Sequence, residues 1–220
     1  MEVLFIRHAK SINYENNLRQ TSDSRLGVIG KKQARKTSKV LKKYIKTSDI
    51  KYDTIITSKW KRAIETAEIF SKELEIPIKS SKGIHEFISS PLIASQSLDS
   101  KIVRRFSKEV LKNSHNFDWK FNNEGESTRD VIKRAIKFKQ ELIKKYKNRN
   151  VIVVSHGFFI TTFLVVLLLG EKYEDSLFKD ISDKFKFNNC SLTKLKYDTK
   201  TNKWEINFLN DSRYINYKSL

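Results

Sequence analysis

The chain has 220 residues, and 44 Lys and Arg against 25 Asp and Glu give it a formal net charge of +19. This length suits one domain with a sizeable core, and 39% hydrophobic and 11% aromatic residues argue against a disordered chain. The single cysteine, Cys190, excludes an internal disulfide framework. Because the start of the chain also lacks the pattern of a signal peptide, we expect a cytoplasmic globular protein.

The positive charge is spread along the chain rather than gathered in one arm. Residues 1–110 carry 23 Lys/Arg and 12 Asp/Glu, and the remainder carry 21 and 13. Much of the excess lies in predicted amphipathic helices such as KKQARKTSKVLKKYIK, where lysine would occupy the solvated face. We therefore expect neither a nucleic-acid nor a membrane partner, and we expect the charge to attract a small anionic substrate.

The first half of the chain alternates predicted strands and helices. VLFIR (3–7) is an apolar run typical of a buried strand, and a helical pattern follows Gly30. YDTIITS (52–58) predicts a second strand, which leads directly into the helical pattern KRAIETAEIFSKEL. Residues 79–125 are less regular, with a basic helix near 101–112.

The second half continues the alternation. Ser127 and Asp130 have the spacing of a capping box at the start of a long helix. NVIVVSHG (150–157) predicts a third strand and a turn, and an apolar helix follows to Gly170. SLTKLKY and KWEINFL flank DTKTN, which is typical of a β-hairpin.

The apolar stretch 151–170 has two interpretations. Fourteen of its 20 residues are apolar, which suggests a membrane span. Ser155, His156 and Gly157 divide it, however, into pieces that are both shorter than the 20 or so apolar residues a span needs. We therefore expect a buried strand, turn and helix.

Strands that alternate with helices predict an α/β fold. We expect residues 1–220 to form a single domain, a three-layer sandwich with a central, mainly parallel sheet flanked by helices. Residues 86–125, called the cap segment below, are expected to cover the site.

The ends of the predicted strands carry side chains suited to phosphate. The first strand ends in Arg7-His8, the second delivers Arg62 to the first turn of its helix, and the third ends in His156-Gly157. In open α/β sheets ligands bind beyond the carboxyl ends of the strands. Guanidinium groups and helix N-termini both complement an anion, so these residues together predict an anion site.

These residues also carry a resemblance to a known family. FIRHAKS is similar to the Arg-His-Gly signature of the histidine phosphatase superfamily, in its phosphoglycerate-mutase-like branch, with Ala9 in place of glycine. Six further segments resemble the family's other blocks in chain order: LGVIGKKQA, SKWKRAIETAEIF, HEF, GESTRDVIKRA, VVSHGFFI and NNCSLTKLKYD. The resemblance spans about residues 3–198 and implies a phosphoglycerate-mutase-like fold.

The resemblance implies a role for each residue of the site. His8 would be the nucleophile that forms a transient phosphohistidine. Glu86 would protonate the leaving oxygen and then activate water. Arg7, Arg62 and His156 would hold the phosphoryl oxygens and stabilise charge in the transition state. The resemblance implies no metal and no other cofactor.

The resemblance also implies residues that bind the substrate, but one of the family's binding residues has no direct match in this sequence. Gly157 would add a backbone N–H, and Ser11 keeps the hydroxyl of the family's threonine. Tyr14 falls where the family has a phosphate-binding asparagine. Either Asn13 or Asn17 replaces that asparagine, or the contact is missing.

The predicted function is a metal-independent phosphomonoesterase that acts on a small phosphorylated substrate. The loop 17–25 lacks the aromatic-rich segment of the mutases and the chain is short for a mutase, which favours hydrolysis. Two alternatives stay open: a phosphoglycerate-mutase-type phosphoryl transfer, and a weakly catalytic regulatory protein that binds a phosphorylated ligand. A nucleic-acid-binding module ranks last, and oligomeric state is not indicated.

Overall fold

The computed structural model describes residues 1–215. A six-stranded sheet crosses its centre, and strands β1 to β6 are Glu2–Arg7, Thr54–Ser58, Ile78–Ser81, Val151–Ser155, Leu192–Asp198 and Lys203–Asp211. Their spatial order is β3-β2-β4-β1-β5-β6. The four strands β3, β2, β4 and β1 are parallel, whereas β5 is antiparallel to both of its neighbours. The predicted α/β fold with a mainly parallel sheet is confirmed.

Helices lie on both faces of this sheet. Helices α1 to α7 of the described chain are Ile12–Glu15, Val28–Ser48, Lys61–Leu74, Lys101–Lys112, Thr128–Tyr146, Gly157–Leu169 and Asp175–Ser182. Strand β1 shows why three layers form. Its residues Val3 and Phe5 pack with α5 and α6 on one face, while Leu4 and Ile6 pack with α2 and α3 on the other. A strand that is buried on both faces is apolar throughout.

The apolar stretch 151–170 forms strand β4 and helix α6, as predicted. Helix α6 is buried along most of its length because it packs against β1 and α5. None of the helices within residues 1–215 is long and apolar enough to cross a membrane.

Three of the described strands and α-helices were not predicted from the sequence: α1, β3 and α7. Residues Ile78–Ser81, which fall partly in the stretch described as irregular, form the edge strand β3 parallel to β2. Only its backbone pairing defines this strand, because its side chains are half-buried or exposed. Helix α7 is likewise short and buries a single residue, Phe178. Elements this small carry too few apolar residues to show a period.

The cap segment has a small core of its own. It contains α4 and two 3-10 turns, Pro91–Ile93 and Phe121–Asn123. That small core consists of Ile93, Val103, Phe106 and Phe121, whereas Phe117 of the same segment packs into the main core. Immediately after it, Ser127 and Asp130 form the predicted capping box at the start of α5. The cap segment is thus packed as a unit before the chain returns to the sheet.

Candidate active site

The carboxyl ends of three adjacent strands bring the predicted residues together. Arg7, the last residue of β1, pairs with Ser155, the last residue of β4. Strand β2 lies on the other side of β4 and leads through Ser58 into α3. His8 and His156 each follow one of these strands, and their rings lie 4.9 Å apart between centroids. The sheet register therefore assembles residues that are far apart in sequence.

Arg62 is the centre of the assembly. It lies in the first turn of α3, is completely buried, and uses three donors. Its Nε–H donates to Nε2 of His8 at 3.0 Å, one terminal nitrogen donates to Nδ1 of His156 at 3.1 Å, and the other donates to the carbonyl of Thr21 at 2.6 Å. All three partners are uncharged acceptors, so none of the hydrogen bonds of Arg62 neutralises its positive charge.

The same hydrogen bonds define the protonation of both histidines. Arginine can only donate, so Nε2 of His8 and Nδ1 of His156 must carry lone pairs. The remaining ring nitrogens donate: Nδ1 of His8 to the carbonyl of Ala9 at 2.7 Å, and Nε2 of His156 to Oγ of Ser58 at 2.8 Å. Both rings are therefore neutral, and Nε2 of His8 is a potential nucleophile.

Burial and positive charge explain why the rings stay neutral. Burial lowers the pKa of His8 well below its usual value of 6.5, and the charges of Arg62 and Arg7 lower it further. The pKa of His156 is lowered for the same reasons, burial first and Arg62 next. Burial also lowers the pKa of Arg62 to about 10, which leaves this guanidinium protonated at neutral pH.

Arg7 offers a free donor at the same place. One of its terminal nitrogens donates to the carbonyl of Phe187, but its Nε is buried and has no hydrogen-bond partner among residues 1–215. Gly157 packs directly against it, since a Cβ at position 157 would lie 3.4 Å from that Nε. A buried donor without a partner is costly, and an anion at this point would satisfy it.

A cavity of about 520 Å³ opens in front of Arg62. Ten of its nineteen lining residues come from the cap segment. Its charged lining consists of Arg7, Arg19, Arg62 and Glu86. Among residues 1–215, no group of three or more His, Cys, Asp or Glu side chains is placed to hold a metal ion. The lining is therefore suited to an anion.

Glu86 lies on the wall of this cavity, at the start of the cap segment. Its Oε1 accepts from the backbone N–H of Phe87 at 3.1 Å, and its Oε2 accepts from that of Phe158 at 3.3 Å. Phe158 belongs to the first turn of α6, whose unpaired N–H groups attract a carboxylate. The carboxylate is thus held beside the strand ends by two backbone donors.

The predicted substrate contacts are not all brought to the cavity. Oγ of Ser11 accepts from the N–H of Tyr14 and caps α1, and Asn13 donates to the carbonyl of Arg19. Asn17 donates to Asp99 in the cap segment at 2.7 Å. Of these positions only Tyr14 and Arg19 line the cavity. The side chains of Ser11, Asn13 and Asn17 instead hold the loop that carries them.

Three further residues of the site were missed by sequence reasoning. Ser58 accepts from His156, and Trp60 lies under the guanidinium of Arg62 at 4.6 Å and edge-on to the His156 ring. Arg19 lines the cavity from the loop that follows α1. Ser58 and Trp60 lie in the segment SKWKRAIETAEIF, in which only Arg62 was given a role, and Arg19 lies in none of the segments that carry the family resemblance.

Comparison with known proteins shows to which family the chain belongs and which structures share its fold. The sequence model of the histidine phosphatase superfamily (branch 1) matches residues 3–212. The phosphatase PhoE of Bacillus subtilis is 25% identical over 170 residues, which cover 77% of this chain and 78% of PhoE. A mycobacterial glucosyl-3-phosphoglycerate phosphatase has a TM-score of 0.77 at 20% identity, over 96% of this chain and 99% of its own. The alpha-ribazole phosphatase of Shigella flexneri has a TM-score of 0.76 at 16% identity, over 96% of each chain. At these identities the two structures show a shared fold.

Proposed function

Because the chain belongs to the histidine phosphatase superfamily (branch 1), we propose that it is a phosphatase that hydrolyses a small phosphomonoester through a phosphohistidine at His8. The hydrogen bond from Nε–H of Arg62 to Nε2 of His8 carries the proposal. It supports the proposal because it requires a lone pair on Nε2 of His8 directly beside a buried guanidinium. The names of the relative and of the similar structures, all phosphatases, support the same activity.

Substrate binding begins with the unsatisfied positive groups. The phosphoryl oxygens accept from Nε of Arg7, from Arg62 and from the N–H groups at the start of α6, next to Gly157. Arg62 then turns its Nε–H from His8 to a phosphoryl oxygen, which frees the lone pair of Nε2. His156 keeps accepting from Arg62 and so holds the guanidinium in place.

In the first chemical step, Nε2 of His8 attacks phosphorus and the bond from phosphorus to the ester oxygen breaks. The leaving oxygen takes a proton from Glu86, and the product is an alcohol or a phenol. The imidazole then carries the phosphoryl group on Nε2 and its proton on Nδ1, where the carbonyl of Ala9 accepts it. The guanidinium groups balance the charge that develops on the phosphoryl oxygens.

In the second step, water attacks the phosphohistidine. Glu86, now a carboxylate, takes a proton from this water, the P–N bond breaks, and inorganic phosphate leaves. His8 returns to its neutral form and Glu86 is again protonated for the next substrate. The net reaction is hydrolysis of one phosphate ester, and arginine side chains supply the positive charge that it requires.

The test compares hydrolysis of p-nitrophenyl phosphate by the wild type, His8→Ala and His115→Ala. We expect His8→Ala to abolish activity and His115→Ala, which alters an exposed histidine, to keep it. Rapid quenching of a reaction with ³²P-labelled substrate should trap protein-bound phosphate that is acid-labile and base-stable. Full activity of His8→Ala would refute the proposed nucleophile.

Further measurements separate hydrolysis from the two alternatives, mutase-type phosphoryl transfer and binding without turnover. A mutase would interconvert phosphoglycerate isomers with a bisphosphoglycerate primer and release little net phosphate. A binding protein would be stabilised by inorganic phosphate but would show no turnover. Activity that persists in EDTA would support the proposal that no metal is needed.

A further inference from the structure

Arg19 is a third guanidinium on the cavity wall, separate from the pair at the strand ends. The loop that carries it is paired with the cap segment, because Leu18 bridges to Ser97 and the N–H of Arg19 donates to the carbonyl of Gln96 at 2.8 Å. A terminal nitrogen of Arg19 donates to Oγ of Ser89 at 3.1 Å, and the guanidinium lies over the ring of Phe106 at 5.1 Å. These contacts hold the charge in one place.

Arg19 has unused binding capacity. Its Nε is buried and has no hydrogen-bond partner among residues 1–215. Burial lowers the pKa of this guanidinium, and the charge of Glu86 partly offsets that effect. A desolvated, fixed guanidinium with a free donor is suited to a carboxylate, whose oxygens match its planar fork.

The cavity lining carries more positive than negative charge, which favours binding of a second anionic group. Arg7, Arg19 and Arg62 bring three positive charges and Glu86 brings one negative charge. In the proposed first step Glu86 carries the proton that it donates, so a phosphoryl dianion then balances only two of the three positive charges. Arg7 and Arg62 lie at the strand ends, where the phosphoryl group is proposed to bind, which leaves the guanidinium of Arg19 for a second anionic group.

Aromatic side chains make up six of the fifteen uncharged residues of the wall. Six aromatic residues line the cavity: Tyr14, Trp60, Phe87, Phe106, Trp119 and Phe158. Aromatic rings gain from stacked or edge-on contacts with one another. The volume of about 520 Å³ suits a small molecule rather than a long chain.

We propose that the substrate is an aromatic phosphomonoester that also carries a carboxylate. Its phosphoryl group lies on Arg7 and Arg62, its ring lies between the aromatic side chains, and its carboxylate binds Arg19. This inference rests on the proposed function, and it makes Arg19 a specificity-determining residue of the same site.

The test uses matched pairs of substrates. The ortho, meta and para isomers of carboxyphenyl phosphate are each compared with the carbamoylphenyl phosphate of the same geometry, which has similar size but no charge. We expect kcat/KM to favour one carboxylate over its amide by about tenfold or more, since hydrogen bonds between charged groups are the strong ones. In Arg19→Gln that ratio should fall to about one. Arg25→Gln, which removes an exposed charge from the same loop, should keep the wild-type ratio.

The outcomes separate this inference from the proposed function. Equal hydrolysis of every acid and its amide by the wild type would overturn the role of Arg19 while leaving the phosphatase intact. Hydrolysis of p-nitrophenyl phosphate but of none of the six compounds would overturn the substrate class. Failure to hydrolyse p-nitrophenyl phosphate as well would count against the phosphatase itself. If Arg19→Gln does not fold, Arg19→Lys, which keeps the charge but loses the fork, should reduce the ratio.

Discussion

The Nε–H of Arg62 donates a hydrogen bond of 3.0 Å to Nε2 of His8. This bond occupies the lone pair that would attack phosphorus, and His8 is only 1% exposed. The lone pair that is proposed to attack phosphorus is therefore already engaged by Arg62. An anion that takes over the Arg62 donor releases His8, so in the proposed mechanism substrate binding and activation of the nucleophile are one event.

Arg62→Lys tests this relationship. Lysine keeps the positive charge but lacks the planar guanidinium with its several N–H donors. It therefore cannot donate to His8, His156 and the phosphoryl group from one buried position. We expect kcat/KM for p-nitrophenyl phosphate to fall by about 10²–10³-fold, as on removal of other positioned transition-state donors. Lys61→Gln, which alters the half-exposed neighbour paired with Asp23, should stay within a few-fold of wild type. Wild-type activity in Arg62→Lys would contradict the central role of the Arg62 guanidinium.

Glu86→Gln tests the proton donor. Loss of a positioned acid costs about 10²–10⁴-fold, and the loss should be largest for alkyl phosphates, whose leaving oxygens need the proton most. For p-nitrophenyl phosphate we expect a much smaller effect on the first step. The measurement is kcat/KM over a series of esters with leaving groups of increasing acidity. Glu109→Gln, which removes a cap carboxylate paired with Arg105, serves as the control, and equal losses across the series would rule out Glu86 as the donor.

The lowered pKa values of His8 and His156 make stability depend on pH. Both histidines stay neutral in the folded state, whereas in the unfolded chain they bind protons below about pH 6.5. The unfolded state therefore binds more protons in mildly acidic solution, and stability falls as the pH drops below 6.5. Each histidine contributes a slope of up to about 1.4 kcal/mol per pH unit.

Urea unfolding in phosphate-free buffer at pH 7.5, 6.5 and 5.5 measures this slope. We expect His8→Gln to show a shallower dependence than wild type, and His115→Gln to show the wild-type dependence. An unchanged slope in His8→Gln would mean that His8 titrates normally in the folded protein.

Gly30 permits the close contact between α2 and the loop after β1. A Cβ at this position would lie 1.8 Å from the carbonyl oxygen of Lys10. Gly30→Ala should therefore destabilise the protein by about 1–3 kcal/mol, although alanine in a helix is otherwise favourable. Gly83→Ala is the matched control, because only Oγ of Ser81 lies near its Cβ position, at 4.0 Å. Chemical denaturation measures both, and a stabilised Gly30→Ala would show that the loop can move.

Secondary structure was predictable where the apolar pattern was strong. VLFIR and the strand Val151–Ser155 were recognisable because both faces of each strand are buried, which makes all residues but the last of each run apolar. The edge strand Ile78–Ser81 was not recognisable, since its pairing with β2 depends on backbone hydrogen bonds that leave no side-chain period.

The sequence by itself determined the α/β fold and the chemistry at the strand ends. The period of apolar residues reports burial locally, and Arg7, His8, Arg62 and His156 stand next to recognisable elements. Only the tertiary structure decided that Arg62 joins two histidines which lie 54 and 94 residues away from it. It alone also placed Arg19 on the cavity wall and left Ser11 and Asn13 off it. Such contacts depend on which distant segments meet, and on which donors remain unpaired after they meet, and neither is encoded in a local pattern.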